Sequence, residues 1–259
     1  METGMGTVPG FGAGTVPLVV VPLVVAGVLL AFVVHWITLA RVDTAEKRLP
    51  LCRGAYLGMS AQLVLLAWAS ALVLNRAYVD RGQALPLMVA AGMTLSFCGD
   101  LFNLQFEGIR KRAGEPLFFG ILCFAAAQLC YIAGFLSAVP LDGLIADGFF
   151  LPVLAALVVV PAVLFRFRVY DPGRPKTVML AAFLYGFILG AMAAVAASAA
   201  IARGGTWYIV AAGALFFLLS DAIMGQTTIR GMHPRNEFQV PWITYLAAQG
   251  LIILGSALA

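Results

Sequence analysis

Two carboxylates stand where the chain is otherwise apolar. Asp100 lies in Thr94-Leu-Ser-Phe-Cys-Gly-Asp-Leu-Phe-Asn103, and Asp221 in Leu215-Phe-Phe-Leu-Leu-Ser-Asp-Ala-Ile-Met224. The other ten of the twelve Asp and Glu fall near the N-terminus or in polar breaks, where they cost little. A charge deep in a membrane helix costs about 2.5–3.5 kcal/mol on insertion scales, and such residues face the bundle interior or a wet cavity. The plainer reading is a hydrogen bond between helices, worth about 0.6 kcal/mol on average. Two aspartates at matching depth favour chemistry over glue. In low dielectric, two carboxylates share one proton more readily than they carry two charges. Such a pair offers a general acid and an anion at one place.

Other polar side chains fall near them by helical spacing. Ser96 is one turn before Asp100, Asn103 is one turn after it, and Ser220 directly precedes Asp221. Gln128 and Tyr131 are three apart, and Tyr245 and Gln249 four apart, so each pair shares a helix face. These seven are the candidate substrate-binding residues, with helix–helix contact as their ordinary alternative. The surroundings also recur. Gly92 and Gly213 each lie eight residues before their aspartate, and Ala126-Ala127-Gln128 returns as Ala247-Ala248-Gln249. The aspartates and the glutamines share one offset, 121 residues. Such copies fit a parallel repeat about an axis along the membrane normal, which would set Asp100 and Asp221 face to face.

The elements that must position these residues follow from composition. Hydrophobic residues are 62% of the 259 and charged residues 11%, with mean hydropathy +0.98. Soluble domains hold about 45–50% apolar and about 25% charged residues. That imbalance excludes a water-soluble globule, a disordered chain, a disulfide-stapled module and a nucleic-acid binder. At roughly 20 apolar residues per crossing, eight transmembrane helices are predicted, near 17–39, 55–75, 84–106, 116–138, 147–166, 177–202, 206–226 and 239–258. The fold class is all-α: one transmembrane bundle over 17–259, behind a Gly-rich tail over 1–16. The tail lacks the basic n-region of a signal peptide, so the first span is expected to persist.

Loop charges predict the orientation. Thirteen of the sixteen Lys and Arg lie in the odd-numbered loops, among them Arg110, Lys111, Arg112, Arg166, Arg168, Arg174, Lys176 and Arg230. The positive-inside rule then puts those loops in the cytoplasm, both termini outside and the aspartates in the cytoplasmic half, in the cell (inner) membrane. Arg110, Lys111, Arg112 and Arg230 could meet a lipid phosphate, although positive-inside bias explains them as well. Trp36 and Trp242 read as interface anchors. Cys52, Cys98, Cys123 and Cys130 make no CxxC pair, and the two histidines, His35 and His233, are far apart. No disulfide, redox motif or His-rich zinc site is expected.

Ser96-Phe97-Cys98-Gly99-Asp100 is similar to the S-x-x-G-D motif of the YhhN-like lysoplasmalogenase family. Phe216-Phe-Leu-Leu-Ser220-Asp221 resembles its F-x-x-S-D motif, and Tyr245-Leu-Ala-Ala248-Gln249-Gly-Leu-Ile252 its terminal Y-x-x-A-Q-x-L-I pattern. The blocks run from Gly92 to Ile252 in the family's order. Where the family commonly carries histidine before the downstream tyrosine, this chain has Gln128, which can orient a hydroxyl but does not titrate near neutral pH. The resemblance implies hydrolysis of the vinyl-ether bond of a lysoplasmalogen to a fatty aldehyde and a glycerophospho-alcohol. Asp100 and Asp221 would be the catalytic pair, with a lysophospholipid as substrate, membrane lipids as surroundings and no metal or cofactor. A vinyl ether opens by protonation at its β-carbon, and water traps the oxocarbenium ion. The protonated aspartate would donate to carbon while the ionised one steadies the cation and activates water. A proton-coupled carrier using the same two aspartates is the alternative from another class, and a lipid-binding scaffold without turnover is a third.

Overall fold

The computed structural model describes residues 26, 30, 33, 45–80, 83–104, 114–146, 148–232 and 239–259, with the side chains of 45–52, 75–79 and 239 excepted. Most of the first expected span, and Arg110, Lys111, Arg112, His35 and His233, lie outside that description. The described residues form helices α1 (Ala45–Val79), α2 (Leu85–Asn103), α3 (Pro116–Ala138), α4 (Leu141–Ala146) and α5 (Phe150–Leu164). After them come α6 (Lys176–Arg203), α7 (Trp207–Met224) and α8 (Gln239–Leu258). Seven of these are long and apolar enough to cross a membrane. The chain is a multi-pass membrane protein with an all-helical bundle, as the composition predicts.

Two boundaries differ from those expected. The break anticipated from Asp43 to Arg53 is already helical from Ala45, and the apolar part of α1 is Arg53–Leu74. Backbone hydrogen bonds inside a helix are satisfied locally, so a charged run can extend the helix beyond the apolar stretch. The loop expected from Pro140 to Asp147 holds the short α4, and beyond it Gly148 adopts φ +74, a left-handed conformation that costs glycine nothing.

Pairwise packing fits the expected internal repeat. α1 packs on α2 as α6 packs on α7, α2 on α3 as α7 on α8, and α3 on α6 as α8 on α1. Contact details match at the sequence offset of 121. A Cβ on Gly92 would strike the Tyr131 ring, and one on Gly213 would strike position 252, which is 121 beyond Tyr131. Gly134 faces Met88 and Gly255 faces Ile209, again 121 apart. Positions related by the repeat also touch each other, as residues on a two-fold axis must. Asn103 donates to the Met224 sulfur at 3.1 Å across a separation of 121. The Phe124 and Tyr245 rings meet edge-on at 6.2 Å across the same separation. An axis relating the two halves would pass between α2 and α7 and between α3 and α8.

α5 sits at the periphery and meets the bundle chiefly through α6. Pro161 lacks the N–H that would bind the Leu157 carbonyl, and that carbonyl faces the bare Cα of Gly190. Below Pro161 the helix widens into a π turn, Phe165–Val169, and α7 ends in a second one, Gly225–Ile229. The two π turns pack together at the end of the bundle that carries the odd-numbered loops.

Candidate active site

Asp100 is sealed in the bundle at 2% exposure. One oxygen of its carboxylate, Oδ2, accepts the Ser60 hydroxyl from α1 at 2.5 Å and the Tyr245 hydroxyl from α8 at 2.9 Å. Two hydroxyl donors on one oxygen offset part of the cost of burying the carboxyl group. Tyr245 is itself held by rings: Trp242 at 5.4 Å, Phe217 at 5.5 Å and Phe124 at 6.2 Å, all edge-on. Trp242 stacks on Tyr56 at 4.4 Å.

Asp221 is half-buried and accepts the Tyr185 hydroxyl from α6. Each aspartate thus takes a hydroxyl from the helix that precedes its own in the repeat, Ser60 from α1 and Tyr185 from α6. Phe124 links the two surroundings: its ring meets Tyr245, which serves Asp100, and lines the cavity on which Asp221 opens. Their surroundings then diverge. Asp221 lines a cavity of about 100 Å³ walled by α3, α5, α6 and α7, with Ile121, Phe124, Pro161 and Leu189 among its apolar lining. On the Asp100 side the positions 121 beyond Ile121 and Phe124 are Trp242 and Tyr245. Their rings pack together with Tyr56 on the Asp100 side. Asp221 therefore opens on a cavity, and Asp100 is sealed.

The remaining predicted residues distribute around this core. Gln128 is fully buried beside the Tyr185 hydroxyl, yet neither atom of its amide makes a hydrogen bond of normal geometry. Tyr131 donates to Gln249 Oε1 at 2.7 Å, with Ser96 close by. Ser96 Oγ and Gln249 Nε2 are buried without a normal partner. Asn103 lines the cavity and bonds Met224 rather than a carboxylate, while Ser220 donates to the Pro241 carbonyl at 2.9 Å and ties α7 to α8. Sequence reasoning missed Ser60 and Tyr185. Neither belongs to a recognisable motif, and the one available signal was that each sits on the span before an aspartate-bearing span.

The model of the YhhN family matches residues 56–256. The chain belongs to the YhhN family. The match reaches beyond the motif blocks and takes in α1 from Tyr56 onward, and with it Ser60. No curated protein and no solved structure matches the chain.

Proposed function

We propose that this YhhN-family protein is a lysoplasmalogenase-type hydrolase that cleaves the vinyl-ether bond of alkenyl-glycerophosphocholine or -ethanolamine. The observation that carries the reading is the asymmetric aspartate pair: Asp100 sealed and doubly hydrogen-bonded, Asp221 open to an apolar cavity. Vinyl-ether hydrolysis needs a proton delivered to carbon, negative charge beside the cation that forms, and a base for water. Asp221, facing the cavity, donates its proton to the β-carbon. The resulting oxocarbenium ion is stabilised by the fixed negative charge of Asp100, held in place by Ser60 and Tyr245. The Asp221 carboxylate then takes a proton from the water that attacks the α-carbon, which returns Asp221 to its acid form. The hemiacetal collapses to a fatty aldehyde and a glycerophospho-alcohol. We place the protein in the cell (inner) membrane with the odd-numbered loops in the cytoplasm, in line with their Lys and Arg content.

The test is aldehyde release by purified protein from a lysoplasmenyl lipid, beside its saturated-ether and acyl counterparts. Turnover of the vinyl ether alone supports protonation at carbon. A folded protein inactive on every vinyl ether rules the reading out and leaves proton-coupled transport as the next assay.

Tyr185 is expected to position Asp221 rather than to transfer protons. A hydrogen bond to a charged group is worth about 1.5–3 kcal/mol, so Tyr185→Phe is expected to lower kcat roughly ten- to hundredfold, with KM little changed. An unchanged kcat would remove Tyr185 from the mechanism.

A further inference from the structure

The cavity beside Asp221 runs toward the odd-loop end, where its lining is Phe165, Val169, Thr228 and Ile229, the facing residues of the two π turns. A π turn leaves carbonyls that the regular helix pattern would have satisfied, and here each turn is capped by an arginine from beyond the other. Arg174, which follows the first turn, donates through Nε to the Ile229 carbonyl at 2.9 Å and through an Nη to the Thr228 carbonyl at 2.8 Å. Arg230, which follows the second, donates to the Phe167 carbonyl in the first. These reciprocal straps fix two guanidinium groups on the π-turn backbone, Arg174 on Thr228 and Ile229, which line this end of the cavity, and Arg230 on Phe167. Each has only part of its five-donor fork engaged. Arg166, Arg168 and Lys176 stand at the same end of the bundle. Among the described residues the one carboxylate paired there is Asp171, at 4.0 Å from Arg174.

We propose that Arg174 and Arg230 form the phosphate subsite of the cavity, and that the lipid lies with its phosphodiester at the paired π turns and its ether carbon at Asp221. This rests on the vinyl-ether reading of Asp221, and a length comparison supports it. From the reacting α-carbon of a lysolipid to its phosphorus is about six bonds, or about 7 Å, since an extended chain advances roughly 3.6 Å per three bonds. Thr228 lies seven residues past Asp221, about 10 Å along the helix at roughly 1.5 Å per residue and somewhat less through a π turn. A phosphate placed by Asp221 therefore falls within side-chain reach of both guanidinium groups. Planar guanidinium forks suit phosphate oxygens, and binding there leaves the carbonyl straps in place. The substrate class is a single-chain phospholipid, not a neutral glyceryl ether.

Binding to the full-length protein in detergent, with probes that cannot turn over, separates this from the catalytic reading. The probes are a saturated 1-alkyl lysophosphocholine, the 1-alkylglycerol of the same chain, and glycerol 3-phosphate. The wild type is expected to prefer the phospholipid over the alkylglycerol by about tenfold or more. Arg174→Gln and Arg230→Gln should each remove most of that preference while alkylglycerol affinity stays within about twofold, and Arg230→Lys should restore part of it. A collapse of the cavity wall would instead weaken both lipid probes together and, like a preference unchanged in both glutamine variants, would overturn the subsite. So would glycerol 3-phosphate binding as tightly as the phospholipid, which would make the occupant a soluble phosphate ester. Loss of the preference in a protein that releases no aldehyde would retain the subsite and reject the hydrolase.

Discussion

Asp221→Asn is expected to abolish aldehyde release, with a fall in kcat of about a thousandfold, within the range for loss of general acid–base catalysis. Asparagine keeps the shape of the side chain and can still meet the Tyr185 hydroxyl, but it has no acidic proton for carbon and no carboxylate for water. Asp100→Asn is expected to cost less, about a hundredfold, because Asp100 is sealed and in the proposed mechanism would supply charge rather than a proton. The difference follows from access: the cavity opens on Asp221, while Asp100 is sealed and held by Ser60 and Tyr245. Steady-state kinetics on one lysoplasmenyl lipid, with each variant shown to be folded by its melting profile, makes the comparison. Equal losses would mean that both aspartates reach the substrate. A larger loss at Asp100 would reverse the roles.

The parts of this site legible in the sequence are those whose residue type is costly in its setting. A carboxylate in an apolar run announces itself because burial is expensive, and the offset of 121 between Asp100 and Asp221 also relates Gly92 to Gly213 and Gln128 to Gln249. The close helix approaches at Gly92 and Gly213 recur at the same offset. Ser60 and Tyr185 carry no such mark. Serine and tyrosine are tolerated within membrane helices at little cost, so only the fold reveals that their hydroxyls meet the aspartates. The asymmetry was equally hidden. Ile121 and Trp242 are both ordinary apolar residues, and only the fold shows that Ile121 lines the cavity beside Asp221 while Trp242 stacks on Tyr56. The straps of Arg174 and Arg230 were masked for a different reason: positive-inside bias supplies cations to these loops whether or not they hold anything.

A large stability effect away from the aspartates is expected at Gly213. A Cβ built there lies 2.8 Å from the Ala248 carbonyl oxygen and 2.9 Å from the Ile252 backbone nitrogen. Both are backbone atoms of a regular helix and cannot rotate aside as a side chain would. Gly213→Ala must therefore push α7 away from α8 along a contact where small residues let backbones approach. Overpacking of this kind costs roughly 1–3 kcal/mol, and with no compliant neighbour the upper end applies. The melting temperature is expected to fall by roughly 5–10 °C, at about 2–4 °C per kcal/mol for a chain of this size. Gly250→Ala on α8 is the control, because a Cβ there meets nothing within 4 Å. Alanine gains up to about 1 kcal/mol over glycine in a helix, so the control should melt at the wild-type temperature or slightly above it. The effect at Gly213 should extend to the site. Asp221 lies eight residues along the same helix, about 12 Å at roughly 1.5 Å per residue, and Ser220 ties that level of α7 to Pro241 at the start of α8. Prying the two helices apart at Gly213 while Ser220 holds them tilts α7 and shifts Asp221 against Tyr185. Gly213→Ala is thus expected to lose turnover even below its melting temperature, and Gly250→Ala to keep it. If the two variants melt alike, α7 and α8 do not approach as closely as Gly213 requires.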